Sequence, residues 1–116
     1  MIDGFHSNTL EGVLTEFSFG PDQIRRIVED DSMEIIYAMY NVYGYEGDAW
    51  VIYVDKRDGQ LYEVHSCHCS CDALEWSPES TSLASIAMRP DDNSVYPGIE
   101  AAIRCLLAAI VIGICK

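Results

Sequence analysis

The residues whose types suggest chemistry are concentrated in one short stretch rich in cysteine and histidine. Four of them fall within five positions, namely Cys67, His68, Cys69 and Cys71. Thiolate sulfur and imidazole nitrogen are common zinc ligands, and a structural zinc site usually holds four ligands in a tetrahedron. The stretch therefore makes zinc a candidate cofactor, although the sequence requires none. No other motif calls for a cofactor.

The spacing of these ligands also allows an arrangement without metal. In an extended chain, alternate residues face one way, so the three cysteines would face one side and His68 the other. Binding would require the backbone to curl, with a further ligand from His65, Asp72 or the distant His6. The alternative is that the cysteines are small buried residues that close a sheet, because free cysteine is often buried.

Catalysis by a cysteine–histidine pair is not predicted. His68 is adjacent to Cys69, but neighbouring strand residues point to opposite faces, and a nucleophile needs its base within hydrogen-bond reach. The sequence has no glycine-rich phosphate loop, nucleophile elbow or His-Glu-x-x-His motif. We therefore expect a protein that is not an enzyme.

A predicted three-stranded meander leads into the cysteine stretch. Residues 48–55 and 60–66 are rich in β-branched and aromatic side chains, and Asp58-Gly59 between them is typical of a tight turn. Residues 34–43 have apolar side chains at positions that also suit a helix. Their tyrosine and isoleucine content favours a strand, which completes an antiparallel meander.

Helices are predicted on both sides of the meander. Asn8 is the expected cap of a first helix, and Pro21 is suited to the first position of a second. A short helix is expected within 81–88, and a long apolar C-terminal helix is expected to begin at Pro97. The fold class is therefore α+β, with residues 1–116 as a single domain in which the meander packs against these helices.

The C-terminal helix contains a continuous apolar segment. Every residue from 105 to 115 is apolar or glycine, which makes 11 residues, whereas a membrane span needs about 20. We therefore expect no membrane partner. The segment predicts either a helix buried at the centre of the core or one half of a homodimer contact.

Charge and cysteine content indicate the class of partner and the compartment. The chain has 116 residues and a formal net charge of -12, from 19 acidic against 7 basic side chains. Such a surface repels nucleic acid and favours a basic protein partner, although acidity can also serve solubility alone. Five cysteines, an odd number, do not suit a disulfide framework, and no secretory signal is visible. A reducing cytoplasm is expected.

Acidic residues recur where a partner could reach them. The first 34 residues contain 8 acids and only two bases, and further acids lie near the ends of the central strands. The predicted partner-binding residues are Glu29, Asp30, Asp31, Glu46, Asp48, Trp50, Asp55 and Asp58. If the acids share one face, they could occupy a groove that normally binds phosphates. A tight apolar contact that includes Trp50 is the competing interpretation.

The central part of the chain resembles a family of small, uncharacterised bacteriophage proteins. The matching blocks are 45–50 (YEGDAW), 59–64 (GQLYEV), 68–71 (HCSC), 74–75 (LE) and 76–79 (WSPE). The family has no activity to transfer. The resemblance implies a viral protein made in the cytoplasm of a bacterial host.

Small acidic phage proteins of this kind often block a host protein. The resemblance therefore implies a stoichiometric inhibitor of a nucleic-acid-binding defence complex, of the anti-CRISPR or anti-restriction type. Its partner would be a host protein with a basic surface, with no direct contact to nucleic acid. The alternative is a zinc-stabilised protein-interaction module with another role in infection.

Overall fold

The structure, a computed structural model, describes residues 1–5, 7–44, 46–68, 74–89, 96 and 98–113, with the backbone alone for Tyr43 and His68. In chain order the elements are β1 (Ile2–Asp3), α1 (Leu10–Thr15), α2 (Pro21–Asp30), β2 (Met33–Tyr43), β3 (Glu46–Asp55), β4 (Gln60–His68), β5 (Glu79–Thr81), α3 (Leu83–Ala87) and α4 (Ile99–Val111). The chain is thus α+β, as predicted.

The sheet contains more strands than the predicted meander. Its spatial order is β1-β2-β3-β4-β5, with β1 parallel to β2 and the other neighbours antiparallel. The meander forms the centre, so the prediction of three strands is incomplete. The two edge strands have two and three residues, which is too short to show a periodicity that indicates a strand.

Strand β3 is covered on both faces. Its residues from Ala49 to Val54 are all buried, which explains the nearly continuous apolar run in its sequence. Trp50 and Ile52 belong to the core under α3 and α4, whereas Val51 and Tyr53 belong to the core under α1. The molecule therefore has three layers, with helices on each side of one sheet.

A β-bulge interrupts the alternation of β2. Ile35 pairs with Tyr53 and Tyr37 pairs with Ile52, so Ile36 is the extra residue. Ile36 and Tyr37 consequently both lie in the core under α4. Because the bulge places consecutive apolar residues on one face, this strand also resembles a helix in its sequence pattern.

The turn between β3 and β4 has the predicted chemistry. Gly59 has a φ of 70°, a left-handed conformation that glycine adopts without steric cost. Its N–H donates to the carbonyl of Asp55 at 2.8 Å, and the N–H of Gln60 donates to the Asp58 carboxylate at 2.8 Å. The prediction of a tight turn at Asp58-Gly59 is confirmed.

The helix boundaries agree in part with the predictions. Helix α2 begins at Pro21 as predicted, whereas α1 is capped by Thr9 rather than Asn8, since the Thr9 hydroxyl accepts from the Gly12 N–H at 3.1 Å. Helix α4 begins at Ile99, and Pro97 lies outside the described residues. Among the described helices, none is long and apolar enough to cross a membrane.

Helix α4 covers the sheet with one stripe rather than lying buried on all sides. The stripe consists of Ile99, Ala102, Leu106 and Ala109. Leu107 and Val111 on the outer side are 49% and 85% exposed. The prediction of a helix at the centre of the core is therefore wrong, because a single sheet face can bury only one side of a helix.

Candidate interaction surface

Several of the predicted acidic residues meet where the end of α2 approaches the β3–β4 turn. Lys56 in the turn joins the two elements, because its ammonium lies 3.2 Å from Asp31 and 3.8 Å from Glu34. Its backbone N–H also donates to the Ser32 carbonyl at 2.7 Å. We call the surface formed here the acidic edge, made of Glu29, Asp30, Asp31, Glu34, Asp55 and Asp58 with Lys56 and Arg57.

The two bases of the acidic edge neutralise only part of its charge. The acidic edge contains six carboxylates and two basic side chains, so its formal charge is -4. Arg57 is committed to Asp55, to which its guanidinium donates at 3.0 and 2.8 Å. These hydrogen bonds lower the pKa of Asp55 and raise that of Arg57, and the charges of Asp30 and Asp58 raise the Arg57 pKa further. The edge thus remains strongly anionic at neutral pH.

Asp58 is held by the turn and by a neighbouring tyrosine. The hydroxyl of Tyr62 donates to its carboxylate at 2.6 Å, and this hydrogen bond is the main reason why the pKa of Tyr62 is raised. Tyr53 packs beside Tyr62 with the ring centroids 5.6 Å apart. Burial, together with the nearby Asp55 charge, raises the pKa of Tyr53 to about 12. Both tyrosines therefore stay neutral hydrogen-bonding groups.

Glu46 and Asp48 do not belong to the acidic edge. They lie at the opposite end of β3, where Asp48 pairs with Cys67, whereas Asp55 pairs with Gln60 at the turn. The strand has ten residues and is therefore about 30 Å long. The predicted acids consequently form two separate groups rather than one continuous face.

Trp50, predicted as a partner contact, is a core residue. Its exposed fraction is 0%, because α3, α4 and the ring of Tyr37 cover it. Its indole N–H donates to the carboxylate of Glu63 at 3.2 Å. The alternation of β3 directs this side chain inward, so Trp50 cannot make the predicted contact in this conformation.

Glu63 and Arg89 form a buried ion pair that the sequence analysis did not identify. The two terminal guanidinium nitrogens of Arg89, Nη1 and Nη2, each donate to one oxygen of the Glu63 carboxylate at 2.5 Å, and only 9% of the Glu63 side chain is exposed. Burial is the largest influence on the pKa of Glu63 and raises it, but the hydrogen bonds that the carboxylate accepts and the charge of Arg89 together outweigh burial, so the pKa is lowered. The signal available in the sequence was a charged residue two positions after Leu61, on the inward face of β4.

The predicted zinc ligands lie mostly outside the described residues. Cys69, Cys71, Asp72 and His6 are outside them, and only the backbone of His68 is described. Cys67 is exposed and free near the end of β4. Among the described residues there is no group of three or more His, Cys, Asp or Glu side chains placed to hold a metal ion. The zinc site therefore stays a prediction.

His65, a candidate zinc ligand, lies beside an aromatic ring. Its ring centroid lies 5.7 Å from that of Tyr96, which also stacks under the Arg89 guanidinium at 4.8 Å. Trp50 approaches the same tyrosine ring at 5.3 Å. Tyr96 therefore joins the exposed His65 to the buried ion pair.

A groove of about 540 Å³ lies between α1 and α2, next to the acidic edge. Its lining residues are Glu11, Thr15, Phe19, Pro21, Ile24, Arg25, Val28 and Glu29. No residue of α2 is fully buried, and Val28 is 39% exposed. The apolar side chains of α2 are therefore only partly covered by the rest of the molecule.

Similarity to known proteins does not assign this chain to a family. Comparisons with protein-family models, with curated proteins and with solved structures find no match. The surfaces that remain as indications of function are the acidic edge and the groove beside it.

Proposed function

We propose that this chain is a stoichiometric, non-catalytic inhibitor that binds a basic surface of a host protein through its acidic edge. The occupied surface is one where the target binds nucleic acid. The resemblance to phage proteins supports a bacterial target, in particular a defence complex that acts on nucleic acid. The single observation that carries the proposal is the convergence of α2 and the β3–β4 turn. It places Asp31 and Glu34 beside Lys56 and Asp55 beside Arg57, with the charges of Asp30 and Asp58 close to the same guanidinium.

Electrostatics explains why such an edge would compete with nucleic acid. Surfaces that bind DNA or RNA are lined with lysine and arginine, which neutralise phosphates. A compact anionic surface is attracted to the same side chains and is steered toward them before contact. The total charge of -12 adds to this attraction at long range. Binding of this kind is expected to weaken as salt rises, since the screening length falls from about 10 Å at 0.1 M to about 3 Å at 1 M.

The test uses a variant that removes charge from the edge without disturbing its structure. The triple variant Asp30→Asn, Asp31→Asn and Asp58→Asn is close to isosteric. Asp31 has a φ of 51°, a conformation that asparagine tolerates, and the new amide oxygen at position 58 can still accept from the turn. The matched control is Glu46→Gln, Glu75→Gln and Glu100→Gln, which removes three exposed charges elsewhere.

The experiment begins with affinity capture from a bacterial lysate, with recovered proteins identified by mass spectrometry. We expect the native chain to retain a nucleic-acid-binding protein, the control to retain it, and the edge variant to lose it. With the purified target, the native chain should displace DNA or guide RNA. The edge variant should bind about tenfold more weakly at low salt, from roughly half a kcal/mol per charge. Equal binding by edge variant and control, or affinity unchanged between low and high salt, would contradict the proposal.

A further inference from the structure

We propose that the groove between α1 and α2 is the docking site for a basic amphipathic helix of the target protein. The apolar face of that helix would lie on the groove floor, and its lysine and arginine side chains would reach the acidic edge. This inference depends on the proposed function and deepens it, because it names the element of the partner that is recognised. The proposed function requires only attraction between charges, whereas this docking requires an apolar contact as well.

The groove presents one complete stripe of α2. Pro21, Ile24, Arg25 and Val28 are spaced i, i+3, i+4 and i+7, so they lie along one side of the helix. Such a stripe on a globular protein normally covers the core. Here it lines the groove, and both Ile24 and Ile27 are only partly buried. Phe19 extends the apolar floor beyond the start of the helix.

The acidic side chains on the rim of the groove favour a positively charged partner. Glu11 on α1 and Glu29 on α2 border it from opposite sides, and both are exposed. Arg25 is the basic residue of the lining, and it is paired with Asp22 at 3.0 Å. Glu29 belongs to both the groove and the acidic edge, so the two surfaces are continuous. An apolar floor with an acidic rim is complementary to an apolar stripe flanked by basic side chains.

The dimensions of the groove suit a helix of a few turns. Helix α2 has ten residues and is about 15 Å long, so a helix lying along it would contribute about three turns. A second copy of this chain does not fit the charge of the site, because its own net charge of -12 would be repelled by the acidic rim.

The direct test is binding of a synthetic leucine–lysine peptide patterned as an amphipathic helix. Two peptides serve as controls: one with the same composition but with leucines distributed around the helix, and one with glutamate in place of lysine. Affinity is measured by calorimetry, and the binding site is mapped from backbone amide shifts by NMR. We expect only the amphipathic lysine peptide to bind tightly, with shifts at Phe19, Ile24 and Val28.

Matched variants separate the apolar contact from charge. Val28→Asn removes an exposed apolar side chain from the groove, and Val111→Asn makes the same change at the end of α4, where the valine is 85% exposed. Val28→Asn should weaken peptide binding about five- to tenfold at every salt concentration, because burial of a valine is lost. Val111→Asn should leave it unchanged. Circular dichroism and the melting temperature confirm that both variants fold.

The remaining outcomes contradict either the docking groove or the proposed function. An amphipathic peptide that does not bind, or shifts that map outside the groove, would contradict it. So would equal binding of the peptide with distributed leucines, since charge alone would then suffice. If the acidic-edge variant fails to bind the captured target but Val28→Asn still binds it, the proposed function stands and the docking groove is refuted. A target retained by the edge variant but lost on Val28→Asn would refute the proposed electrostatic function instead.

Discussion

Replacement of Arg89 with methionine would leave the Glu63 carboxylate in the core without its cation. Methionine keeps much of the length and apolar volume of the arginine stem, so the change removes the charge and the two 2.5 Å hydrogen bonds more than the packing. Breaking a buried ion pair from one side typically costs about 3 to 5 kcal/mol. The side chain of Arg89 is 19% exposed, which allows water to approach, so we expect about 3 kcal/mol.

The pH dependence of this loss has a defined sign. In the native protein the pKa of Glu63 is lowered, so the pair contributes stability above the unfolded pKa of the carboxyl and loses it as pH falls through the lowered value. Without Arg89, burial would raise the folded pKa of Glu63 above its unfolded value. The destabilisation of Arg89→Met should therefore be largest near neutral pH and should shrink as the pH approaches about 4 and the carboxyl takes up a proton.

The assay is urea denaturation at several pH values, with Glu63→Gln combined with Arg89→Met as the control. Glutamine still accepts the hydrogen bond from Trp50 but carries no charge. The double variant should therefore recover part of the stability lost near neutral pH. If the single and double variants unfold at the same free energy across the pH range, the Glu63 charge is not what makes the loss large, and the reasoning fails.

Three further predictions test other parts of the molecule. Glu29→Lys and Asp30→Lys should each raise the free energy of unfolding by about 0.3 to 1 kcal/mol in low salt, because acids at the end of α2 oppose the helix dipole; a loss measured by urea denaturation would contradict this. If the zinc prediction is right, purified protein carries zinc near one per chain, and Cys69→Ser lowers zinc content and melting temperature together; metal-free protein with unchanged melting would leave the cysteines as free thiols. The exposed Leu107 and Val111 predict a homodimer with α4 in or near the contact, which a monomer mass by light scattering at micromolar concentration would exclude.

The sequence was informative where a feature is local and repeated. Segments of many residues rich in β-branched and aromatic side chains identified the three long strands, and the residue types Pro21 and Gly59 indicated a helix start and a turn for reasons of backbone geometry alone. The same reasoning failed for β1 and β5, because two or three residues contain no period. Their existence depends on the neighbouring strand that they pair with.

The candidate site was only partly accessible to sequence reasoning. The pattern showed that Pro21 begins a helix and that Asp58 occupies a turn, but the approach of the end of that helix to the turn depends on Lys56 and on how α2 returns to the sheet. Conversely, the aromatic character of Trp50 suggested a contact residue, whereas its register on β3 buries it. Which charges are neighbours is a property of the tertiary structure, and spacing along the chain does not determine it.

The bulge in β2 affects which single-residue deletions the strand can tolerate. Ile35 and Ala38 lie on one side of the sheet and Ile36 and Tyr37 on the other, so the strand contains one residue more than strict alternation needs. Deletion of a residue elsewhere in a strand moves every later side chain of that strand to the opposite face of the sheet. Loss of Ile36 would instead restore regular alternation and sacrifice a single core side chain. In a scan of single-residue deletions, tolerance along β2 should therefore peak at this position.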